Sequence, residues 1–143
     1  MICFLNYIMR FIYMKVTHRT ELSRLKKDEH VILFIDDKTK NDDGLISGMT
    51  GSELLKDADL SSFKASASDI LYFNMKGRPG VVLCGLGDAA KLNEEGIRNC
   101  AASAVRFCMS KKINSVTVAE PAIEGFKQEA VLQSLAEGAL LVN

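Results

Sequence analysis

The sequence predicts one α/β domain in which helices flank a single mixed β-sheet. Three observations support this prediction. Short apolar runs rich in β-branched residues alternate along the chain with segments whose apolar residues recur every three or four positions, the pattern of strands that alternate with helices. A Gly/Pro loop joins two of these runs and predicts an antiparallel pair. The length of 143 residues suits one domain with its own core.

The composition is that of an ordinary globular domain without a dominant charge. Hydrophobic residues make up 48% of the chain and charged residues 25%, which excludes a disordered polypeptide. The 18 basic residues balance the 18 acidic residues, so the formal net charge is zero. A broad basic surface for nucleic acid is therefore not expected. Residues 15–27 are basic and residues 36–69 are acidic, and we interpret both segments as solvated faces.

The first thirteen residues are an apolar extension of uncertain role. A membrane span needs about 20 apolar residues, whereas this run is shorter and contains Arg10 near its centre. It also lacks the leading positive charge and the small-residue cleavage site of a secretory signal. We therefore expect residues 1–13 to be a start-site extension or a packing strand, and residues 14–143 to form the domain.

The first predicted core strand is His30–Asp36, a continuous apolar run with β-branched and aromatic residues. Such a run is typical of a strand that is buried on both faces. Asp42 and Asp43 follow it, and their carboxylates can accept hydrogen bonds from the free N–H groups of a helix start. We expect that helix to continue through Met49 and to be interrupted at Gly51.

A hairpin is predicted in the middle of the chain. Ile70–Phe73 and Val81–Cys84 are short apolar runs that predict strands, and the Gly/Pro loop Lys76–Gly80 lies between them. A loop of this kind joins antiparallel neighbours, so the sheet is predicted to be mixed.

Two amphipathic helices and one more strand complete the prediction. Asn93 and the two glutamates after it favour a helix start, because a cap and acidic residues stabilise the positive end of the helix dipole. Ser115–Val118 predicts the next strand, and Pro121 marks its exit. The first of the two helices should bury one face, which consists of Ile97, Cys100, Ala101, Ala104, Val105 and Cys108. The last helix runs almost to Asn143 and should bury a face that consists of Phe126, Ala130, Val131, Leu135 and Ala139.

The cysteines and histidines do not have the spacing of metal ligands. No cysteine pair has the C-x-x-C spacing, and neither histidine has a second ligand nearby in the sequence. We expect buried, reduced thiols, with a metal or redox site as the alternative. For both histidines we expect a surface or strand-edge role rather than catalysis. The residues concerned are Cys3, Cys84, Cys100, Cys108, His18 and His30.

Gly85-Leu86-Gly87-Asp88 is the candidate binding loop of the sequence. It follows a predicted strand and precedes a helix, so its backbone N–H groups could approach a phosphate. Gly85, Gly87 and Asp88 are therefore candidate phosphate-binding residues. The alternative is a tight strand exit without a ligand, since the helix begins only near Asn93.

No pattern in the sequence predicts catalysis. The chain has no nucleophile-elbow motif, no zinc-protease helix motif and no P-loop lysine motif. The acidic pairs Asp36-Asp37 and Asp42-Asp43 flank a polar loop and are expected to cap helices or to face solvent. We predict no catalytic residue and no metal ligand in this chain.

Five segments of the sequence occur in a recognisable order. They are Asp43-Gly44-Leu45-Ile46-Ser47, Gly80-Val81-Val82-Leu83-Cys84-Gly85-Leu86-Gly87, Leu92-Asn93-Glu94-Glu95-Gly96-Ile97-Arg98, Ala101-Ala102-Ser103-Ala104-Val105 and Ala136-Glu137-Gly138-Ala139-Leu140-Leu141. Taken together, these segments and their order resemble the amino-terminal domain of the leucyl aminopeptidases of the M17 peptidase family, the cytosol aminopeptidases. The resemblance covers roughly residues 15–143.

The resemblance implies a three-layer sandwich like that of a macro domain. It also implies a protein that removes amino-terminal residues from peptides with two divalent metals, zinc or manganese, which belong to a separate carboxy-terminal catalytic domain. The metal-binding signature of that domain, which looks like N-T-D-A-E-G-R-L, does not occur in this chain. The implied partners are the catalytic domain and sister subunits, and the implied location is the cytoplasm, with no membrane partner.

Two functional hypotheses follow. The first is a non-catalytic amino-terminal domain of a leucyl aminopeptidase-like metalloexopeptidase, with a structural role or a role in oligomer assembly. The alternative is a free-standing macro-like module that binds a nucleotide or ADP-ribose at residues 85–88.

Overall fold

A computed structural model shows how the chain folds. It describes residues 2–3, 15–19, 22, 25–49, 51–74, 76–119, 121 and 123–142. The strands are β1 Ile2–Cys3, β2 Lys15–Arg19, β3 His30–Asp36, β4 Ile70–Phe73, β5 Gly80–Gly87 and β6 Ser115–Ala119. The helices are α1 Asp37–Lys40, α2 Asp43–Gly48, α3 Glu94–Ser110 and α4 Gln128–Leu141, with a short 3₁₀ helix at Ser52–Leu55.

The strands form one mixed sheet, as the sequence predicted. Their order across the sheet is β1-β2-β6-β3-β5-β4. The central strands β2, β6, β3 and β5 run parallel to one another. At the two ends, β1 pairs antiparallel with β2, and β4 pairs antiparallel with β5 through the predicted hairpin. Parallel central strands require a helical layer on each side.

Each face of the sheet is covered by a separate apolar cluster, and this gives three layers. On one face, Ile32 and Val82 pack with the buried faces of α3 and α4. On the other, Leu33 and Leu83 pack with Phe63 and with residues of α2 and the 3₁₀ helix. Alternate residues of β3 and β5 therefore contribute to opposite clusters, because successive side chains of a strand point to opposite faces. The predicted three-layer α/β sandwich is confirmed.

The predicted helix starts at Asp42 and Asn93 are confirmed by their hydrogen bonds. Asp42 accepts from the backbone N–H groups of Gly44 and Leu45 at 2.9 and 3.2 Å. Asn93 accepts from the N–H of Gly96 at 2.8 Å. Capping bonds of this kind each stabilise a helix by about 1 kcal/mol.

Strand β5 is longer than predicted. The prediction ended this strand at Cys84, but Gly85, Leu86 and Gly87 continue it. Glycine disfavours strands, which is why the pattern stopped early. At position 85 a close backbone neighbour requires glycine, because a Cβ atom there would overlap the carbonyl oxygen of Ser66.

The predicted buried faces of the two long helices are largely confirmed. Every apolar position predicted for α3 is buried. In α4, Val131, Leu135 and Ala139 are buried. Phe126 is a correction, because α4 begins at Gln128 and Phe126 lies in the turn before it, where it packs against the same apolar cluster.

The amino-terminal extension is described only in part. Ile2–Cys3 pairs with His18 and Thr17 of β2, whereas residues 4–14 lie outside the described residues. The assignment of residues 1–13 as a start-site extension or a packing strand stays a prediction. Among the residues that the structure does describe, no helix is long and apolar enough to cross a membrane.

Helices α3 and α4 approach so closely at Gly138 that no side chain fits there. A Cβ atom at this position would overlap the backbone oxygen of Arg98 and would lie 2.8 Å from the Cβ of Ala101. The backbone of α3 cannot move aside as a flexible side chain could. The sequence segment Glu137-Gly138-Ala139 therefore fixes the distance between the two helices.

We predict that Gly138→Ala lowers the free energy of unfolding by about 1–3 kcal/mol, the usual effect of overpacking a core. The matched control is Gly48→Ala, also in a helix, where a Cβ meets no atom within 4 Å. That variant should be as stable as the parent or slightly more stable, because alanine favours helices. Denaturant unfolding of both variants checks the prediction, and equal stability of the two would contradict it.

Candidate functional site

The carboxyl ends of the parallel strands open a cleft in the protein. After β3 the chain enters α1 and α2 on one face of the sheet, and after β5 and β6 it enters α3 and α4 on the other. Where neighbouring strands are followed by helices on opposite faces, a crevice opens at their carboxyl ends, and α/β proteins bind ligands in such crevices. A cleft of about 280 Å³ lies at this position.

The walls of the cleft are mostly apolar. Its floor is formed by the ends of β3, β5 and β6, one wall by α2, and the other wall by the segment after β6. The lining residues from these parts are Leu33, Phe34, Leu86, Ala119, Gly44, Leu45, Gly48, Met49, Pro121 and Ile123, and Asp36 and Thr39 contribute polar side chains. The volume is close to the lower limit of small-molecule pockets, about 300 Å³.

The polar side of the cleft is organised by Asp36. One carboxylate oxygen of Asp36 accepts a hydrogen bond from the N–H of Thr39 at 2.7 Å and so caps α1. Next to it, the ammonium group of Lys38 lies 3.1 Å from a carboxylate oxygen of Glu124 and joins α1 to the segment after β6. The hydrogen bond and charge of Glu124, followed by the charges of Asp36 and Asp42, raise the pKa of Lys38.

The predicted phosphate-binding residues lie beside this cleft, with their N–H groups engaged inside the protein. The N–H of Gly85 donates to the carbonyl of Asp69 at 2.8 Å, and that of Gly87 donates to the carbonyl of Ala65 at 2.9 Å. Asp88 accepts from the N–H of Ala90 at 2.9 Å. N–H groups with internal acceptors are typical of a tight turn at the end of a strand. Phosphate binding at Gly85, Gly87 and Asp88 stays a prediction, which calorimetry with ADP-ribose tests.

Three cysteines lie in the core near the same helix. Cys84, Cys100 and Cys108 are free thiols and are buried. The thiol of Cys84 donates to the carbonyl of Cys100 at 3.5 Å. Hydrogen bonding to Cys100 and burial raise the pKa of Cys84, and burial raises the pKa of Cys108 to about 12. Cys84 and Cys108 therefore favour the neutral thiol. Hydrogen bonds with Cys84 and Ser68 instead lower the pKa of Cys100 to about 6, but burial keeps this thiol away from solvent.

His30 is the first residue of β3 and lies at the amino ends of the parallel strands, whereas the cleft lies at their carboxyl ends. Its Nε2 atom is 3.1 Å from the hydroxyl of Tyr72, and the two rings are stacked with centroids 6.0 Å apart. Tyr72 in turn contacts the edge of Phe107. Burial lowers the pKa of His30. These contacts are those of a packed structural histidine at the start of β3.

The described residues do not fit a two-metal hydrolytic site. Within the ranges that the structure covers, no three His, Cys, Asp or Glu side chains are grouped so that they could hold a metal ion. A two-metal hydrolase needs such a cluster around both ions. The polar side chains that line the cleft are those of Asp36 and Thr39.

Sequence reasoning missed the cleft, although one signal pointed to it. Asp36 was predicted to cap a helix or to face solvent, and it does cap α1. It also stands at the carboxyl end of a buried parallel strand, where crevices form. The contributions of Gly48 and Met49 could not be read from the sequence, because they depend on where α2 packs.

The sequence matches one known family over most of its length. A family model described as "Cytosol aminopeptidase family, N-terminal domain" matches residues 31–143. The "Probable cytosol aminopeptidase" of Bacillus licheniformis is 32% identical over 109 residues, which are 73% of this chain and 21% of that protein. The protein of the same name from Protochlamydia amoebophila is 26% identical over 83 residues, which are 57% of this chain and 17% of that protein.

A solved structure resembles the fold. The "Bottromycin maturation enzyme BotP" aligns with a TM-score of 0.58 and 19% sequence identity, and the alignment covers 80% of this chain and 23% of that one. At this level of identity the likeness concerns the fold alone. The chain spans about a fifth of the length of the curated relatives that it matches.

We predict that a Cys3→Ser variant has no fast-reacting thiol in its native state. The three remaining cysteines are at most 1% exposed, so Ellman's reagent should react with them slowly. In guanidinium chloride all three should react at the rate of free thiols. The time course of absorbance measures both rates, and a rapid thiol in the native variant would contradict the structure.

We also predict that His30 makes the protein less stable in acid. Its folded pKa lies below the ordinary value of 6.5, so the unfolded chain binds the proton more readily. Stability present above pH 6.5 is lost as the pH falls through the folded pKa. His30→Phe should flatten this dependence, whereas Tyr72→Phe, which keeps His30, should retain it. Urea unfolding at a series of pH values between about 4 and 8 makes the comparison.

Proposed function

The chain belongs to the cytosol aminopeptidase family, whose N-terminal domain it matches, and on this premise we propose that it is a non-catalytic domain. Its role in the proposal is structural: it covers part of a catalytic domain and helps subunits to assemble. The observation that carries this proposal is the family match over residues 31–143, on a chain whose described residues offer no metal-binding cluster.

The hydrolytic machinery is proposed to lie in the part of the relatives that this chain does not cover. That part is about four fifths of each relative, since the matched segments are 21% and 17% of their lengths. The removal of amino-terminal residues from peptides and two divalent metals, zinc or manganese, are assigned to that part. The names of the relatives support a cytoplasmic location, which is a proposal for this chain.

Two exposed leucines at the end of α4 support the proposed contact with a second domain. Leu140 is 49% exposed and Leu141 is 72% exposed, and the two residues are adjacent in the sequence. Exposed neighbouring leucines are suited to a partner surface that removes them from water. We therefore propose that the catalytic domain or a sister subunit contacts the carboxyl end of α4.

We expect the purified chain to show no turnover of leucine p-nitroanilide in the presence of manganese or zinc, because no group of side chains in the described part of the chain could hold the metals. Release of p-nitroaniline measured by absorbance is the readout. The cytosol aminopeptidase of Bacillus licheniformis serves as the positive control. Metal-dependent turnover by this chain alone would contradict the non-catalytic assignment.

The structural role predicts the behaviour of a chimera. In the Bacillus licheniformis relative, the matched segment is deleted or is replaced by this chain. We expect the deletion to weaken subunit assembly and the replacement to restore it, as measured by light scattering. The replacement with Leu140→Lys and Leu141→Lys should assemble less well than one with Lys26→Glu, a matched change at an exposed residue. Unchanged assembly in the deletion would contradict the role.

A further inference from the structure

The cleft at the carboxyl ends of the strands combines apolar walls with an acidic group, and the proposed structural role uses neither. Leu45, Met49 and Leu86 contribute aliphatic surface to it. Gly48 also lines the cleft, and a Cβ atom placed there would meet no atom within 4 Å, so the wall is open at this point. A volume of about 280 Å³ accommodates a short aliphatic chain.

The carboxylate of Asp36 supplies a specific polar partner in this apolar cleft. The hydrogen bond from Thr39 at 2.7 Å holds one of its oxygens and fixes the orientation of the side chain. A carboxylate has two oxygens with about four acceptor positions, so it can accept further hydrogen bonds from a ligand. Hydrogen bonds between an ammonium group and a carboxylate are about twice as strong as neutral ones.

The charges around the cleft favour a cation and disfavour an anion. A carboxylate oxygen of Glu124, in the segment after β6, lies 3.1 Å from the ammonium group of Lys38 in α1. Asp36 and Asp42 also act on this ammonium group, and together with Glu124 they raise the pKa of Lys38. The three carboxylates that act on Lys38 outnumber its single positive charge, and one of them, Asp36, lines the cleft itself.

From the aliphatic walls, the oriented carboxylate and the excess of acidic groups, we infer that this cleft binds a small primary aliphatic amine. The hydrocarbon chain lies between α2 and the ends of β3 and β5, and the ammonium group binds Asp36. The same carboxylates repel phosphates and carboxylic acids of similar size. This site is separate from the peptidase chemistry assigned to the uncovered part of the relatives.

Three probes of equal chain length test the charge preference. Pentylammonium, 1-pentanol and pentanoate are titrated into the 15N-labelled 143-residue chain, and amide chemical shifts are followed. Pentylammonium should bind with a dissociation constant in the millimolar range, as its few heavy atoms allow. Pentanol should bind about tenfold more weakly, and pentanoate should not bind. The shifts should centre on Gly44–Met49 and Asp36.

Variants of the cleft separate its charge from its shape. Asp36→Asn keeps the cap of α1, because asparagine also caps helices, and should weaken the amine about fivefold without changing the affinity for pentanol. Gly48→Leu should fill the cleft and abolish binding of both. Lys38→Met removes the competing ammonium group and should strengthen amine binding two- to threefold. Asp59→Asn is the matched control, since Asp59 also accepts a backbone hydrogen bond, from Ser61, away from the cleft.

The inference is overturned if pentanol binds as tightly as pentylammonium, or if Asp36→Asn and Asp59→Asn have the same effect. Chemical shift changes centred away from residues 36–49 would also overturn it. Circular dichroism of each variant confirms that it is folded before binding is compared. None of these outcomes depends on whether the chain assembles with a catalytic domain.

Discussion

The burial of β3 and β5 on both faces is the constraint on which the rest of this structure depends. All of β5 and the interior of β3 are removed from water, and their alternate residues contribute to two separate apolar clusters. Such strands are stable only if a helical layer covers each side. The segment after β3 packs on one face of the sheet, and α3, which follows β5, packs on the other. Because these two segments leave neighbouring strands toward opposite faces, a crevice forms between them.

The sequence was sufficient to predict most of this architecture, because strong periodicity and caps mark its long elements. His30–Asp36, Glu94–Ser110 and Ser115–Ala119 each appear where apolar spacing placed them. The prediction was weaker where tertiary contacts override local preference. Gly85 and Gly87 belong to β5 although glycine disfavours strands. The backbone of Ala65 and Ser66 passes too close to Gly85 for any side chain, and Gly87 has a φ of +81°, which side chains disfavour.

The candidate site was less predictable than the fold for a related reason. Phosphate binding at Gly85, Gly87 and Asp88 stays a prediction, and a sequence does not show which N–H groups of such a loop already have internal acceptors. The cleft is formed by residues from β3, α2, β5 and the segment after β6, which are distant in the sequence and contribute mostly ordinary aliphatic side chains. Only Asp36, at the carboxyl end of a buried strand, carried a local signal, and that signal equally fits a helix cap.

The short strand β1 has a consequence for behaviour at high concentration. Ile2 and Cys3 pair with backbone groups of β2, on the side of β2 that faces away from β6. An unprotected strand in that position would expose a row of N–H and C=O groups to which another polypeptide can add a strand. Ile2 and Cys3 thus cover part of the edge of β2, which would otherwise be open to strand addition by another polypeptide.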